Sequence, residues 1–207
     1  MGAPTRWVTD TGEGHSRWYI ERFRTMAADG VDLGGEARLI DAMTSPGSRI
    51  LDAGCGPGRV GAVLHDRGHR VVGVDADPEL IEAAREDHPG PQWLVADLAE
   101  LDLPACGVPD AFDAAVVAGN VLAFVAPGTE PEVLRRIAAH LVPGGFVVVG
   151  FGTDRGYPLE AFDADVASAG FTLEHRFATW DLRPWKDGGD FAVSVLRRPD
   201  QAGGASN

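Results

Sequence analysis

The chain reads as an α/β protein: a seven-stranded, mostly parallel sheet with helices on both faces, a C-terminal antiparallel hairpin and an N-terminal helical cap. Three observations predict this. From residue 49 onward, Val-rich runs of about 5–6 residues alternate with helical patterns, as parallel strands covered on both faces do. The last two apolar runs are joined with no room for a helix, and parallel neighbours need a crossover of a dozen or more residues, so these two pair antiparallel. Before residue 45 the spacing is helical alone.

In chain order, Ser16 to Ala28 places Trp18, Tyr19, Phe23 and Met26 at helical spacing. Gly34-Gly35 precedes a second helix, Glu36 to Met43, which Pro46-Gly47 stops. Arg49 to Ala53 is the first strand, and Arg59 to Arg67 the helix after it. His69 to Val74 is a second strand, followed by a helix over Pro78 to Asp87 that Asp77-Pro78 opens. Gln92 to Ala96, Phe112 to Ala118 and Phe146 to Phe151 are the third to fifth strands. A helix over Glu130 to Leu141 ends at Pro143-Gly144-Gly145. After a helix over Leu159 to Ala169, Phe171 to Leu182 and Asp190 to Arg197 form the hairpin. The domain reading is a helical cap or lid over 1–45, a ligand-binding domain over 46–199 and a flexible tail over 200–207.

A chain of 207 residues with 44% hydrophobic and 24% charged residues buries one ordinary core and is not a disordered tail. No run approaches the ~18 apolar residues of a membrane span. Met1 to Asp10 shows no basic-then-apolar leader, and Arg6 stands where a myristoylation signal after Gly2 wants Ser or Thr, so a soluble cytoplasmic protein is expected. The net charge of −13 repels phosphate backbones and argues against nucleic acid as a partner. Cys55 and Cys106 cannot supply a disulfide framework or a four-ligand zinc site, and no Asp/His spacing signals a metal.

The informative segment is Ile50-Leu51-Asp52-Ala53-Gly54-Cys55-Gly56-Pro57-Gly58, a buried strand emerging into a glycine loop just before a helix. Ligands of open α/β sheets bind beside such loops. Two nucleotide-type ligands compete for it. Gly56 to Gly61 satisfies the dinucleotide spacing G-x-G-x-x-G, and Asp75 follows about 20 residues on, where a ribose-binding carboxylate belongs. Against NAD stands Asp52, a carboxylate expected at the strand tip, facing a pyrophosphate. S-adenosylmethionine (SAM) carries an ammonium and a sulfonium instead, which an acidic rim attracts.

These residues resemble class I SAM-dependent methyltransferases. Asp52 to Gly58 looks like the family's first motif. The likeness continues through Val72-Gly73-Val74-Asp75, Ala96-Asp97-Leu98, Phe112-Asp113 and Leu141-Val142-Pro143-Gly144-Gly145, over residues 46–198. The resemblance implies that Asp52 and the backbone of Gly54, Cys55 and Gly56 hold the methionine part of SAM. It implies Asp75 on the ribose hydroxyls, Ala76 beside the adenine, Asp97 at its amino group and Leu98 on its ring. Gly119 and Asn120 would line the floor near the methyl, and Tyr19 would touch the SAM carboxylate.

A small-molecule acceptor methylated at O or N is expected, because 207 residues leave no separate domain for a protein or RNA substrate. Neither a nucleic-acid nor a membrane partner is expected, and the chain is expected to be a monomer or homodimer. The Asn/Asp-Pro-Pro-aromatic motif of base and glutamine methylation is absent after Asn120, where Val121 and Leu122 follow. The acceptor is expected above the fourth and fifth strand ends, among Asn120, Val121, Leu122, Phe124, Phe151 to Arg155, Trp180, Trp185 and Lys186. His15, in a Gly-flanked stretch, is the first choice of base, with Asp154 and Asp181 behind it. His65, His69 and His88 read as surface residues and His140 as a helix-end cation. An NAD-dependent oxidoreductase and an inactive SAM-binding partner subunit are the alternatives.

Overall fold

The computed structural model describes residues 3–200. Gly2 and all but the first residue of the expected tail lie outside them. Within the described residues, seven strands form one sheet in the order β3-β2-β1-β4-β5-β7-β6. They are β1 (Arg49–Ala53), β2 (Arg70–Asp75), β3 (Gln92–Val95), β4 (Phe112–Val117), β5 (Leu141–Gly152), β6 (Thr172–Phe177) and β7 (Phe191–Arg197). β1 to β5 run parallel, and β7 inserts antiparallel between β5 and β6. The order reverses between β1 and its partners β2 and β4, which opens a crevice at their carboxyl ends.

Strand alternation sorts the core. Leu51, Ala53, Val72, Val74, Ala115, Val117, Val147 and Val149 share one face. Ile50, Val71, Ala114, Val116, Val148, Val193 and Val195 share the other. Helices cover both faces, which is why the strands read as continuous Val-rich runs. The helices are α1 (Arg6–Thr9), α2 (His15–Ala28), α3 (Gly35–Met43), α4 (Arg59–Asp66), α5 (Pro78–Asp87), α6 (Val121–Phe124), α7 (Glu130–His140) and α8 (Leu159–Ser168). α7 presents Val133, Leu134 and Ile137 to the first face. α3 and α4 bring Ile40, Val60 and Leu64 to the second.

Several expectations shift. β5 begins at Leu141 rather than Phe146, with a register irregularity opposite Phe112 and Ala114. There Gly144 N–H donates to the Arg198 carbonyl at 3.1 Å and Arg198 N–H to the Gly145 carbonyl at 2.8 Å, so the Pro-Gly-Gly segment is held against the end of β7. β6 stops at Phe177, because the chain turns there: Ala178 N–H donates to the Arg183 carbonyl at 2.8 Å. The short helices α1 and α6, and a 3₁₀ turn over Leu98–Glu100, were not legible as periodic segments. His69 is not a surface residue: it is 3% exposed, with Nε2 3.0 Å from Asp41 Oδ1 on α3. His140 sits in the last turn of α7, where its Nε2 accepts from Leu103 N–H at 3.1 Å.

Candidate functional site

The β1 exit loop is stitched to β2. Gly54 and Cys55 N–H both donate to the Val74 carbonyl, at 2.8 and 3.0 Å. Gly54 takes φ +78°, and a Cβ there would collide with Val121, so the loop sits flush against α6 only as glycine. Gly56 N–H then donates to Asp75 Oδ2 at 2.9 Å, while Asp75 Oδ1 accepts from Asp77 N–H at 3.0 Å. Each carboxylate oxygen is anchored once and keeps a lone pair for a ligand. Burial above all, with the neighbouring Asp77 adding, pushes the Asp75 carboxyl up to about 6.

Around this carboxylate opens a cleft of about 700 Å³, part of it continuous with solvent. Its β2 and β3 side carries Asp75, Ala76, Asp77, Leu80, Asp97 and Leu98, and its β4 side Ala118, Gly119, Val121, Phe124 and Val125. Asp77 opens α5 by accepting from Glu79 N–H at 2.8 Å, and Asp97 opens the 3₁₀ turn by accepting from Ala99 N–H at 2.9 Å. Above lie Tyr19 of α2 and Thr5, Trp7 and Val8 at α1. Tyr19 Cε1 stands 3.6 Å from where Gly56 would carry a Cβ, and its Oη 3.8 Å from that of Gly119. Burial raises the phenol, so it faces the cleft as a neutral donor.

Of the residues singled out from sequence, Tyr19, Gly54, Gly56, Asp75, Ala76, Asp97, Leu98, Gly119, Val121 and Phe124 come together on this lining. Others, Asp181 and Lys186 among them, do not. Asp52 is 2% exposed and lies beneath the loop, where Oδ2 accepts from Gly61 N–H at 2.8 Å. The cause is alternation: Asp52 shares the face of Ile50, which α4 covers, while Leu51 and Ala53 point the other way. It is no anionic lip, and burial pushes it up to about 7. Cys55 packs with Ile81, Ala84 and Trp93, its thiol raised by burial. His15 rests against Trp7 and Trp18, ring centroids 4.8 and 5.2 Å away.

Asn120 and Asp154 both approach Gly152 and lie outside the cleft lining. Asn120 Oδ1 accepts from Gly152 N–H at 2.7 Å. Asp154 Oδ1 reaches to 3.1 Å of where Gly152 would carry a Cβ, and Asp154 is otherwise exposed, 3.7 Å from Arg155. Trp180 fills the space beside Gly150 and packs, partly buried, against the second face, and Trp185 packs towards Arg176, so neither joins the lining. Sequence reasoning missed Thr5, Trp7, Val8, Asp77, Leu80 and Val125 as lining residues. For Asp77 the signal was present, because a helix opened at a strand exit puts its cap beside the ligand. For Trp7 there was none, since four helical residues show no period.

The charge of the lining is one-sided: three carboxylates, and no Lys or Arg among the described residues. That setting disfavours a diphosphate and suits a cationic ligand with a diol.

A family model described as a methyltransferase domain matches residues 50–145. The crystal structure of a TehB-like SAM-dependent methyltransferase from Corynebacterium glutamicum aligns with a TM-score of 0.84 and 42% identity, over 90% of this chain and 100% of that one. Trans-aconitate 2-methyltransferase from Paracidovorax citrulli is 28% identical over 156 residues, 74% of this chain and 53% of its own length. Malonyl-[acyl-carrier protein] O-methyltransferase from Serratia marcescens is 32% identical over 83 residues, 40% of this chain and 32% of its own length. The matched segments thus span between about a third and about half of these two curated relatives.

Proposed function

The chain belongs to the class I SAM-dependent methyltransferase family, and from that premise we propose that it methylates an oxygen or nitrogen of a small-molecule acceptor, leaving S-adenosylhomocysteine. One observation carries the SAM site: the Asp75 carboxylate, fixed by the Gly56 and Asp77 amides, with free lone pairs at the β2 exit in a lining without cations. The residues fit the group. Two donors of a ribose diol match two anchored oxygens, and Gly56, with Tyr19 Cε1 3.6 Å from its Cβ position, leaves the loop backbone open beneath the phenol.

SAM brings a methyl on a positively charged sulfur, already activated for displacement. What remains for the protein is position and exclusion of water. The loop Gly54 to Gly56 presents backbone to the methionine end, Asp75 orients the ribose, and Ala76 and Leu98 flank the adenine side, with Asp97 beside them. Tyr19 and Trp7 close the top. The acceptor approaches past Gly119 from the β4–β5 side, where Asn120 holds Gly152 and the exposed Asp154 carboxylate stands beside it. We read residues 1–45 as the cap of this site and 46–199 as the unit that carries it. Organic acids head the acceptor screen, because two relatives are named for trans-aconitate and malonyl-acyl carrier protein.

The dinucleotide alternative loses its motif. Trp93 Cη2 lies 3.0 Å from where Gly58 would carry a Cβ and 2.8 Å from that of Gly61, so the cleared space holds an indole and no pyrophosphate. No helix of the described residues is long and apolar enough to cross a membrane.

Calorimetric titration with SAM, S-adenosylhomocysteine and NAD tests the reading, followed by a screen of acids, phenols and amines with methyl-labelled SAM. Binding of the first two and labelling of an acceptor support it. Retention of NAD with indifference to SAM overturns it.

A further inference from the structure

The roof of the cleft carries a further assignment, which rests on the SAM site proposed above. α1 lies across the opening and grips both banks. On one bank, the Arg6 guanidinium stands 3.2 Å from the Glu130 carboxylate and donates to the Ala123 carbonyl at 3.3 Å. On the other, Trp7 Nε1 donates to Asp77 Oδ2 at 2.9 Å, and Ser16 Oγ shares that oxygen. Between the banks the Trp7 indole meets Tyr19 and Phe124 edge to face, with centroids 5.3 and 5.4 Å away. Thr5, Trp7 and Val8 all face the cleft.

Both anchors are specified. Glu130 is 5% exposed, and Arg6 is its one ion-pair partner among the described residues. A buried carboxylate stripped of its partner is costly, so lifting the strap is opposed on that bank. Asp77 divides its oxygens, Oδ1 capping α5 and Oδ2 taking Trp7. It also stands two residues past Asp75, beside the ribose end of the cleft.

We propose that Trp7 is a cofactor-positioning residue: its indole closes over the adenosine part of bound SAM, and its bond to Asp77 slows release of the cofactor and its product. Because the strap bridges both banks, exchange requires the Trp7–Asp77 and Arg6–Glu130 contacts to open.

The test uses the full chain and needs no acceptor. Affinity for S-adenosylhomocysteine is measured by calorimetry, and its departure by chase of labelled ligand. Trp7→Phe keeps a ring and deletes the N–H. Arg6→Gln weakens the opposite bank. Asp77→Asn keeps an oxygen to cap α5. Each variant is expected to release the ligand about tenfold faster, the scale of one lost hydrogen bond to a charged group. The melting temperature should stay close to wild type in Trp7→Phe and Asp77→Asn, and fall in Arg6→Gln, which strips the buried Glu130 carboxylate of its partner. Combining Trp7→Phe with Asp77→Asn is expected to add little to either alone, because both break the same bond. Wild-type release rates in both Trp7→Phe and Arg6→Gln overturn the proposal, as do losses of affinity in Trp7→Phe and Asp77→Asn that track losses of melting temperature. A wild-type chain that binds neither SAM nor its product overturns the underlying site, and the role of Trp7 with it.

Discussion

Trp93 occupies the place where Gly73 would carry a Cβ, with indole carbons Cε3 and Cζ3 closer to it than any side-chain contact permits. The indole cannot step aside easily. Its Nε1 donates to the His88 carbonyl at 2.9 Å, and Arg85 donates to the Trp93 carbonyl at 2.7 Å. Gly73→Ala is therefore expected to cost roughly 1–3 kcal/mol by overpacking. Gly12→Ala, where nothing lies within 4 Å, should stay within about 0.5 kcal/mol of wild type. Urea unfolding of both variants checks this, and equal midpoints would remove the role given to Trp93.

Asp52 makes stability depend on pH in a predictable direction. Its carboxyl is raised from the ordinary range to about 7, by burial first, with Asp75 and Glu36 adding and the Gly61 amide and Arg59 opposing. The folded state then holds the proton more tightly than the unfolded chain. This group's contribution is most favourable below about pH 4, declines from about pH 4 to about pH 7, and is flat above. Asp52→Asn mimics the protonated form and cannot follow that decline. Relative to wild type, the variant should gain stability between pH 5 and pH 8, whatever its fixed offset. A difference in urea midpoint that is the same at both values would contradict the burial of a titrating carboxyl here.

Much of the frame was legible because it rests on local rules. Val-rich runs such as Val71-Val72 and Val147-Val148-Val149 can only be strands buried on both faces, and Asp77-Pro78 opens α5 where a cap followed by proline should. Side-chain direction was not legible. Whether Asp52 faces ligand or core turns on one step of alternation relative to α4, and neighbouring residues in sequence do not reveal which face α4 covers. Nor could composition show that the roof would be built by Thr5, Trp7 and Val8, whose positions depend on Glu130 and Asp77, more than 60 residues away.

SAM affinity should rise with pH. In the free protein burial holds the Asp75 carboxyl at about 6. Ribose hydroxyls that donate to it favour the ionised form, so its value falls in the complex and binding releases protons near pH 6. Titration in two buffers of different ionisation enthalpy should register that release, with tighter binding at pH 7.5 than at pH 5.5. In Asp75→Asn one amide group can accept from only one of the Gly56 and Asp77 N–H groups. Affinity should fall about tenfold or more, and the proton release should vanish. Release that persists in this variant would assign the titration to another carboxyl.

Asn120 separates two roles that the motif alone leaves together, ligand and splint. It adopts φ +65°, which side chains other than Asn, Asp and Gly rarely tolerate, and its Oδ1 ties the β5 exit at Gly152 to the β4 exit. Asn120→Asp keeps both features and should be the mildest change. Asn120→Gly keeps the backbone but orphans the Gly152 amide, at roughly 1–3 kcal/mol. Asn120→Ala adds about 1–2 kcal/mol of left-handed strain. Its side chain does not join the cleft lining, so all three should bind SAM within a few-fold of wild type while the Gly and Ala variants raise KM for the acceptor. Loss of SAM affinity in Asn120→Asp, with its unfolding midpoint unchanged, would instead make the amide a direct SAM contact, because the change removes the Nδ2 donor and adds a negative charge that a cationic sulfur does not oppose.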